Sequence, residues 1–246
     1  VLYSGHNAGF ADNPGQRWTT HALALNGGSI FNYGQAATTN ASPTNEWQAG
    51  TGVVRDDLEK LVLESGFSVM TIAKTTTTAG TLMDFGEFIR KPGSSIYFNG
   101  ANASDKRICV GNASSFLKGA GGDAGSQTMS IVPWAGGFLT GNTSNPQTFA
   151  TVLPSGDVRS LADSEYASSI TSGAAYNVDV SSLALTSDAT VNALRTGYVS
   201  PPNIGSGRIL TVASGGVFFY RGVRSIGTSG SSSAGTLNFG SSEGVV

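Results

Sequence analysis

The chain carries two histidines, His6 and His21, and one cysteine, Cys109. Ser-His-Asp catalysis needs an imidazole poised by a carboxylate, and the nearest in sequence to His6 is Asp12. Both histidines lie close to the N-terminus and are expected to serve surface or packing roles. Two histidines and one cysteine scattered between positions 6 and 109 do not make a zinc site. A lone cysteine forms no internal disulfide, so Cys109 is expected to be a small buried hydrophobe rather than a reactive thiol.

Carboxylates are the other candidates, for general acid–base cleavage of polysaccharide or for holding calcium. They gather at Asp56-Asp57-Glu59-Glu64, at Asp84 and Glu87, and at Asp157, Asp163 and Glu165. Asp57 and Asp84 are about 27 residues apart and would lie one above the other on stacked strands. That geometry suits a structural calcium ion. The simpler expectation is a pair of solvated turn carboxylates, so no cofactor is predicted. The nonapeptide calcium repeat is matched only loosely and once, at Gly121-Gly-Asp-Ala-Gly125. The glycine run Gly119 to Gly125 is followed by neither a helix nor a Lys-Ser/Thr pair, so it reads as a loop rather than a phosphate cradle. Asn40, Asn102, Asn112 and Asn142 head Asn-x-Ser/Thr triplets, expected by chance in a chain this rich in Ser and Thr. Trp18, Trp47, Trp134, Tyr33, Tyr97, Phe98 and Phe218-Phe219-Tyr220 would be core aromatics or, where a ring points outward, sugar-stacking or subunit-sealing surfaces.

The elements that must carry these residues repeat. Leu183-Ala-Leu, Leu210-Thr-Val and Leu237-Asn-Phe follow one another at about 27 residues, each with a Ser/Gly corner behind it. Leu23-Ala-Leu, Leu61-Val-Leu and Phe88-Ile-Arg are weaker copies. The step from Leu23 to Leu61 is nearer 38, which places an inserted loop at residues 35–52. Apolar alternation at period 2 means strand, and a fixed period means units that stack on their neighbours. Residues 56–63 have some helical character, but Leu61 and Leu63 fit the strand register better. Thr75 to Thr78 read as strand or strand edge. Residues 101–177 break the repeat with glycine-rich loops between short apolar patches. The expected fold is therefore all-β, a parallel β-helix (β-solenoid) of one continuous domain. Residues 1–100 and 178–246 supply its rungs, and 101–177 form a loop- and hairpin-rich excursion packed on its side.

Composition agrees. Only 12% of the 246 residues are charged and 39% are hydrophobic, with 34 glycines. A formal net charge of −2 without a basic run argues against nucleic acid as a partner. No segment approaches the roughly 18 consecutive apolar residues of a membrane-spanning helix.

Residues 129–246 resemble secreted bacterial proteins, of planctomycete and verrucomicrobium type, that carry autotransporter-associated β-strand repeats. The resemblance rests on Ile131-Val-Pro-Trp134-Ala-Gly-Gly137, Phe149-Ala-Thr-Val152, Gly156-Asp-Val-Arg159-Ser-Leu161 with Tyr166, and Asn177-Val178. It continues through Thr190-Val-Asn-Ala-Leu194, Leu210-Thr-Val-Ala-Ser-Gly-Gly216, Gly235-Thr-Leu237 and Glu243-Gly-Val-Val246. Val152 stands where the family has Tyr, and Gly244 where it has Leu. The resemblance implies a right-handed β-helix outside the cell, adhesin-like or structural, and brings no catalytic residue.

The expected function is that of an extracellular or cell-surface structural subunit, not an enzyme. Neither Val1-Leu-Tyr3 nor Glu243-Gly-Val-Val246 looks like a polar cap, and both termini look cut from something longer. The expectation is head-to-tail self-association through Leu2, Tyr3, Leu237, Phe239, Val245 and Val246 into a fibre or surface layer. An adhesin or polysaccharide-binding module is the alternative, with residues 101–177 as its binding face. A polysaccharide-degrading enzyme ranks below both.

Overall fold

The computed structural model describes residues 2–5, 22–34, 54–74, 81–101, 105–138, 147–170, 173–180, 185–197, 204–220 and 235–246. The described residues form fifteen β-strands and two short 3-10 turns, with no α-helix. Two compact units divide the chain: Val1–Ser115 with Val152–Arg159, and Phe116–Thr151 with Ser160–Val246.

The first unit contains β1 (Leu2–Gly5), β2 (Ala22–Gly34), β3 (Val54–Lys74), β4 (Thr81–Arg90), β5 (Ser94–Asn99) and β6 (Lys106–Val110). Strand β1 pairs with β2 and β2 with β3, all parallel. The 21-residue β3 then pairs along its first half with β4 and along its second half with β5. β4 passes the ladder on to β6. Parallel register stacks like on like. Leu23, Leu61 and Phe88 are partners in line, as are Ile30, Met70 and Phe98, and Leu58, Phe85 and Val110. All nine are buried. Each such side chain contributes about 1.5–3 kcal/mol on full burial. Where β3 changes partner, Ser65-Gly66-Phe67 turns outward and Gly66 adopts φ +67°, a conformation disfavoured for a side-chain-bearing residue. On the adjoining strands Lys91-Pro92-Gly93 separates β4 from β5, closed by the Ser94 hydroxyl on the Lys91 carbonyl at 2.6 Å.

The second unit opens with an antiparallel bridge between Lys118 and Ile131 and an antiparallel hairpin of β7 (Val132–Phe138) and β8 (Gln147–Val152). The hairpin register jumps between Val132 and Gly136. Two small parallel sheets follow. One runs β10 (Asn177–Val180), β12 (Ala193–Gly197), β14 (Val217–Tyr220). The other runs β11 (Ala189–Val191), β13 (Ile209–Val212), β15 (Thr236–Asn238). Val178, Val180, Leu194 and Val217 of the first join Val191, Leu210 and Val212 of the second in one buried cluster.

The all-β prediction stands, and so does strand rather than helix at residues 60–63. The parallel β-helix does not. Within each unit the pairing is mixed: antiparallel at Cys109–Asp157 in the first, and at Lys118–Ile131 and β7–β8 in the second, where two separate three-stranded parallel sheets also lie. The repeat did specify local register: Leu23 pairs with Leu61, Leu61 with Phe88, and Leu210 with Leu237. It specified neighbours without specifying that the neighbours wind into one continuous coil. Residues 35–52, Thr75 to Thr78 and Leu183 lie outside the described residues.

Candidate functional site: two arginine–carboxylate clusters

The densest polar chemistry in the first unit is built on β6. Arg107 and Cys109 are two residues apart on one strand and so share a face. Asp157 reaches that face through its antiparallel bridge to Cys109. Arg107 donates Nε to Asp157 Oδ1 at 2.7 Å and Nη2 to Oδ2 at 3.0 Å, a bidentate pair. Ser155 Oγ donates to Oδ2 at 2.6 Å, and the Cys109 thiol donates to Oδ1 at 3.1 Å. Burial alone would raise the Asp157 pKa, but the bonds from Arg107, Ser155 and Cys109 hold it below its ordinary value. Burial, with the Asp157 hydrogen bond and charge behind it, pushes the Cys109 thiol up to about 12. A thiol so raised is a poor nucleophile, and its work here is to hydrogen-bond a carboxylate.

In the strand register Asp57 faces Asp84, as the sequence spacing predicts, and Asp84 faces Cys109. The third residue in that line is therefore a thiol rather than a carboxylate. Among the described residues no group of three or more His, Cys, Asp or Glu side chains is arranged to hold a metal ion.

The second cluster centres on Arg195 in β12. Its side chain is 2% exposed, and Nη2 bonds Asp163 Oδ1 at 2.7 Å and Asp179 Oδ2 at 2.6 Å. Asp179 is the register partner of Arg195 on β10. The guanidinium lies 4.0 Å from the centre of the Tyr166 ring and 5.1 Å from that of Tyr220, a cation–π contact with each. Tyr220 in turn donates its hydroxyl to Asp179 at 3.2 Å, and Gly197 beside it leaves room for the ring. The Tyr166 hydroxyl bonds Thr148 Oγ1 at 2.6 Å and accepts from the Phe149 amide at 3.2 Å. Burial pushes Tyr166 up to about 12, and burial and the Asp179 charge push Tyr220 up as well, so both rings stay neutral around a permanent cation. Arg195 Nε and Nη1 are buried without a hydrogen-bond partner among the described residues.

Two further buried polar devices lie in the second unit. Buried Glu165 accepts from the backbone amides of Ala162 and Gly125, both at 2.7 Å. Asn192 Nδ2 donates to Asn177 Oδ1 at 2.7 Å, and Asn177 Nδ2 donates to the Met129 carbonyl at 2.8 Å.

The remaining candidates fall in different places. His6, His21, Asp12, Trp18, Trp47, Asn40, Asn102 and Asn142 lie outside the described residues, as do the side chains of Leu2, Tyr3, Tyr33, Asp56 and Asp57. Trp134, Tyr97 and Phe98 are buried, Phe218 packs edge-on against Phe149, and Tyr220 covers Arg195. Asn112 clamps Phe88, accepting its amide at 2.8 Å and donating to its carbonyl at 3.0 Å, so the nitrogen a glycan would occupy is in use. The Gly119 to Gly125 loop spends amides on Ser130 and Glu165, which fits a loop better than a phosphate cradle. Leu237 and Phe239 pack partly buried against the core of the second unit. Val245 bridges to Gly216, and Val246 is exposed.

Sequence reasoning noted Asp157, Asp163 and Glu165 only as an acidic spot and missed Arg107, Arg195 and Asp179. The signal was a charge inside an apolar strand run: Lys-Arg-Ile-Cys-Val, Asn-Val-Asp-Val, Ala-Leu-Arg-Thr-Gly. In a chain with 12% charged residues, such a placement calls for a buried partner.

Comparison of the chain with protein-family models, curated proteins and solved structures gives no match.

Proposed function

We propose that this chain is a structural β-protein, not an enzyme, that associates with further copies of itself through an open sheet edge, at the cell surface or outside the cell. The observation that carries the reading is β15. Among the described residues it pairs on one side only, with β13. Thr236 bonds inward through its amide to Arg208, so in a parallel ladder the amide and carbonyl of Leu237 point the other way. An edge with free donors and acceptors is a template for another strand.

The side-chain chemistry supports the same reading. Arg107, Cys109 and Asp157 bind one another, and so do Arg195, Asp163 and Asp179; the thiol is held neutral. The low charge and the resemblance of residues 129–246 to secreted repeat proteins support the extracellular placement. Of the aromatic residues singled out in the sequence, Trp134, Tyr97 and Phe98 are buried and Tyr220 covers Arg195, while among the described residues Phe67 stands exposed by itself at a sheet bend.

Exposed Thr236 offers the test. Light scattering across a concentration series is expected to show growth in mass for the natural chain and little for Thr236→Lys, because a lysine at an edge discourages pairing. Equal growth for both would remove β15 as the contact.

A further inference from the structure

The chain contains two Asn-Gly pairs, Asn26-Gly27 and Asn99-Gly100. A glycine following asparagine has no side chain to keep its amide nitrogen from the neighbouring carboxamide. The fold treats the two pairs differently. Asn26 and Gly27 are exposed at the point where the β2–β3 register slips on both sides of Asn26. Gly27 has no partner in that register. Gly27 and Gly28 have φ of +71° and +107°, so the backbone here has left the strand conformation. A Cβ on Gly66 would stand 3.7 Å from Gly27 Cα and 3.9 Å from Gly27 N, so the glycine at position 66 sets no side chain against that nitrogen. The Ser65 hydroxyl donates to Asn26 Oδ1, drawing electron density from the carboxamide carbon.

Asn99 sits in the β5 ladder opposite Thr71 and donates Nδ2 to the Thr71 hydroxyl at 3.3 Å. Gly100 is packed against the Ile72 carbonyl with no room for a Cβ. Gly100 lies just past the ladder with φ +87°, so what separates this pair from the first is the register and hydrogen bond of Asn99 and the close packing of Gly100, which hold it out of reach of ring closure.

We infer that Asn26-Gly27 is a site of spontaneous deamidation and isoaspartate formation, assisted by the Ser65 hydroxyl. Gly27 N attacks Asn26 Cγ as its proton is lost to solvent base. The Cγ–Nδ2 bond breaks and ammonia leaves, giving a five-membered succinimide. Water then opens the ring at either carbonyl, leaving aspartate or, when the main-chain carbonyl is attacked, isoaspartate. No electron changes hands. The product adds one negative charge at an exposed sheet corner of a chain whose formal net charge is −2, and the isoaspartate form lengthens the main chain by one methylene.

The test is peptide mapping by mass spectrometry of the full chain aged in mildly alkaline buffer, with circular dichroism to verify that it stays folded. Asn26 is expected to convert several-fold faster than Asn99 in the folded chain, and the two at similar rates in urea. Ser65→Ala is expected to slow Asn26 several-fold and leave Asn99 unchanged. Conversion of Asn99 as fast as Asn26 in the folded chain would overturn the site, and an unchanged Asn26 rate in Ser65→Ala would overturn the role of the hydroxyl.

Discussion

Arg195 shows how single residues hold this protein together. One nitrogen of its guanidinium meets two carboxylates of unequal exposure: Asp163 at 67% and Asp179 at 20%. The two pairs therefore differ in worth. Asp163→Ala is expected to cost no more than about 1 kcal/mol, because water screens an exposed pair. Asp179→Ala strips a buried cation of its best-shielded partner and frees the Tyr220 hydroxyl, so a loss of about 3 kcal/mol is expected. Urea denaturation of both variants reads the difference, and equal losses would show that Asp179 is not the main counter-charge. Asp157 makes the corresponding prediction in pH. Its folded pKa is lowered, so its stabilising effect is complete above the ordinary carboxylate range and fades as pH falls through the depressed folded value. Asp157→Asn is expected to flatten the acid side of the stability profile while lowering stability at neutral pH. A profile that still falls as steeply at low pH would assign the acid sensitivity to another carboxylate. The thiol beside it is expected to resist alkylation in the folded chain and react on unfolding.

At the scale of elements, β3 shows what the sequence encodes well. Leu61 and Leu63 sit at strand spacing, and the repeat distance places Leu61 opposite Phe88 and Leu63 opposite Arg90 in register. Period-2 apolar alternation is a local signal, and it survived a competing helical signal in Asp56-Asp57-Leu58-Glu59. Leu61→Ala is expected to cost about 2–5 kcal/mol, since Leu61 is fully buried between in-line partners. Gly66→Ala is expected to cost about 1–2 kcal/mol, because the bend needs φ +67°. A neutral Gly66→Ala variant in thermal unfolding would mean that the bend relaxes. A hairpin somewhere in residues 101–177 was expected, but the strands and register of β7–β8 were hidden. Its partners depend on contacts across residues 139–146 rather than on any period, and its register jump after Val132 breaks the alternation a reader would follow. Arg107, Arg195 and Asp179 were missed for a related reason, and Asp163 was noted without its partner. A charge in an apolar strand run signals that a partner is needed, but only the pairing of distant segments shows which partner it is.

The whole molecule combines parallel ladders, an antiparallel hairpin and two small sheets, and its polar clusters hold strands together. The proposed self-association through the open β15 edge is the claim to test. Negative-stain electron microscopy of the purified chain across a range of concentrations tests this most directly. Ordered assemblies of uniform width that are lost in Thr236→Lys are the predicted result. Isolated particles at every concentration would contradict self-association as the function.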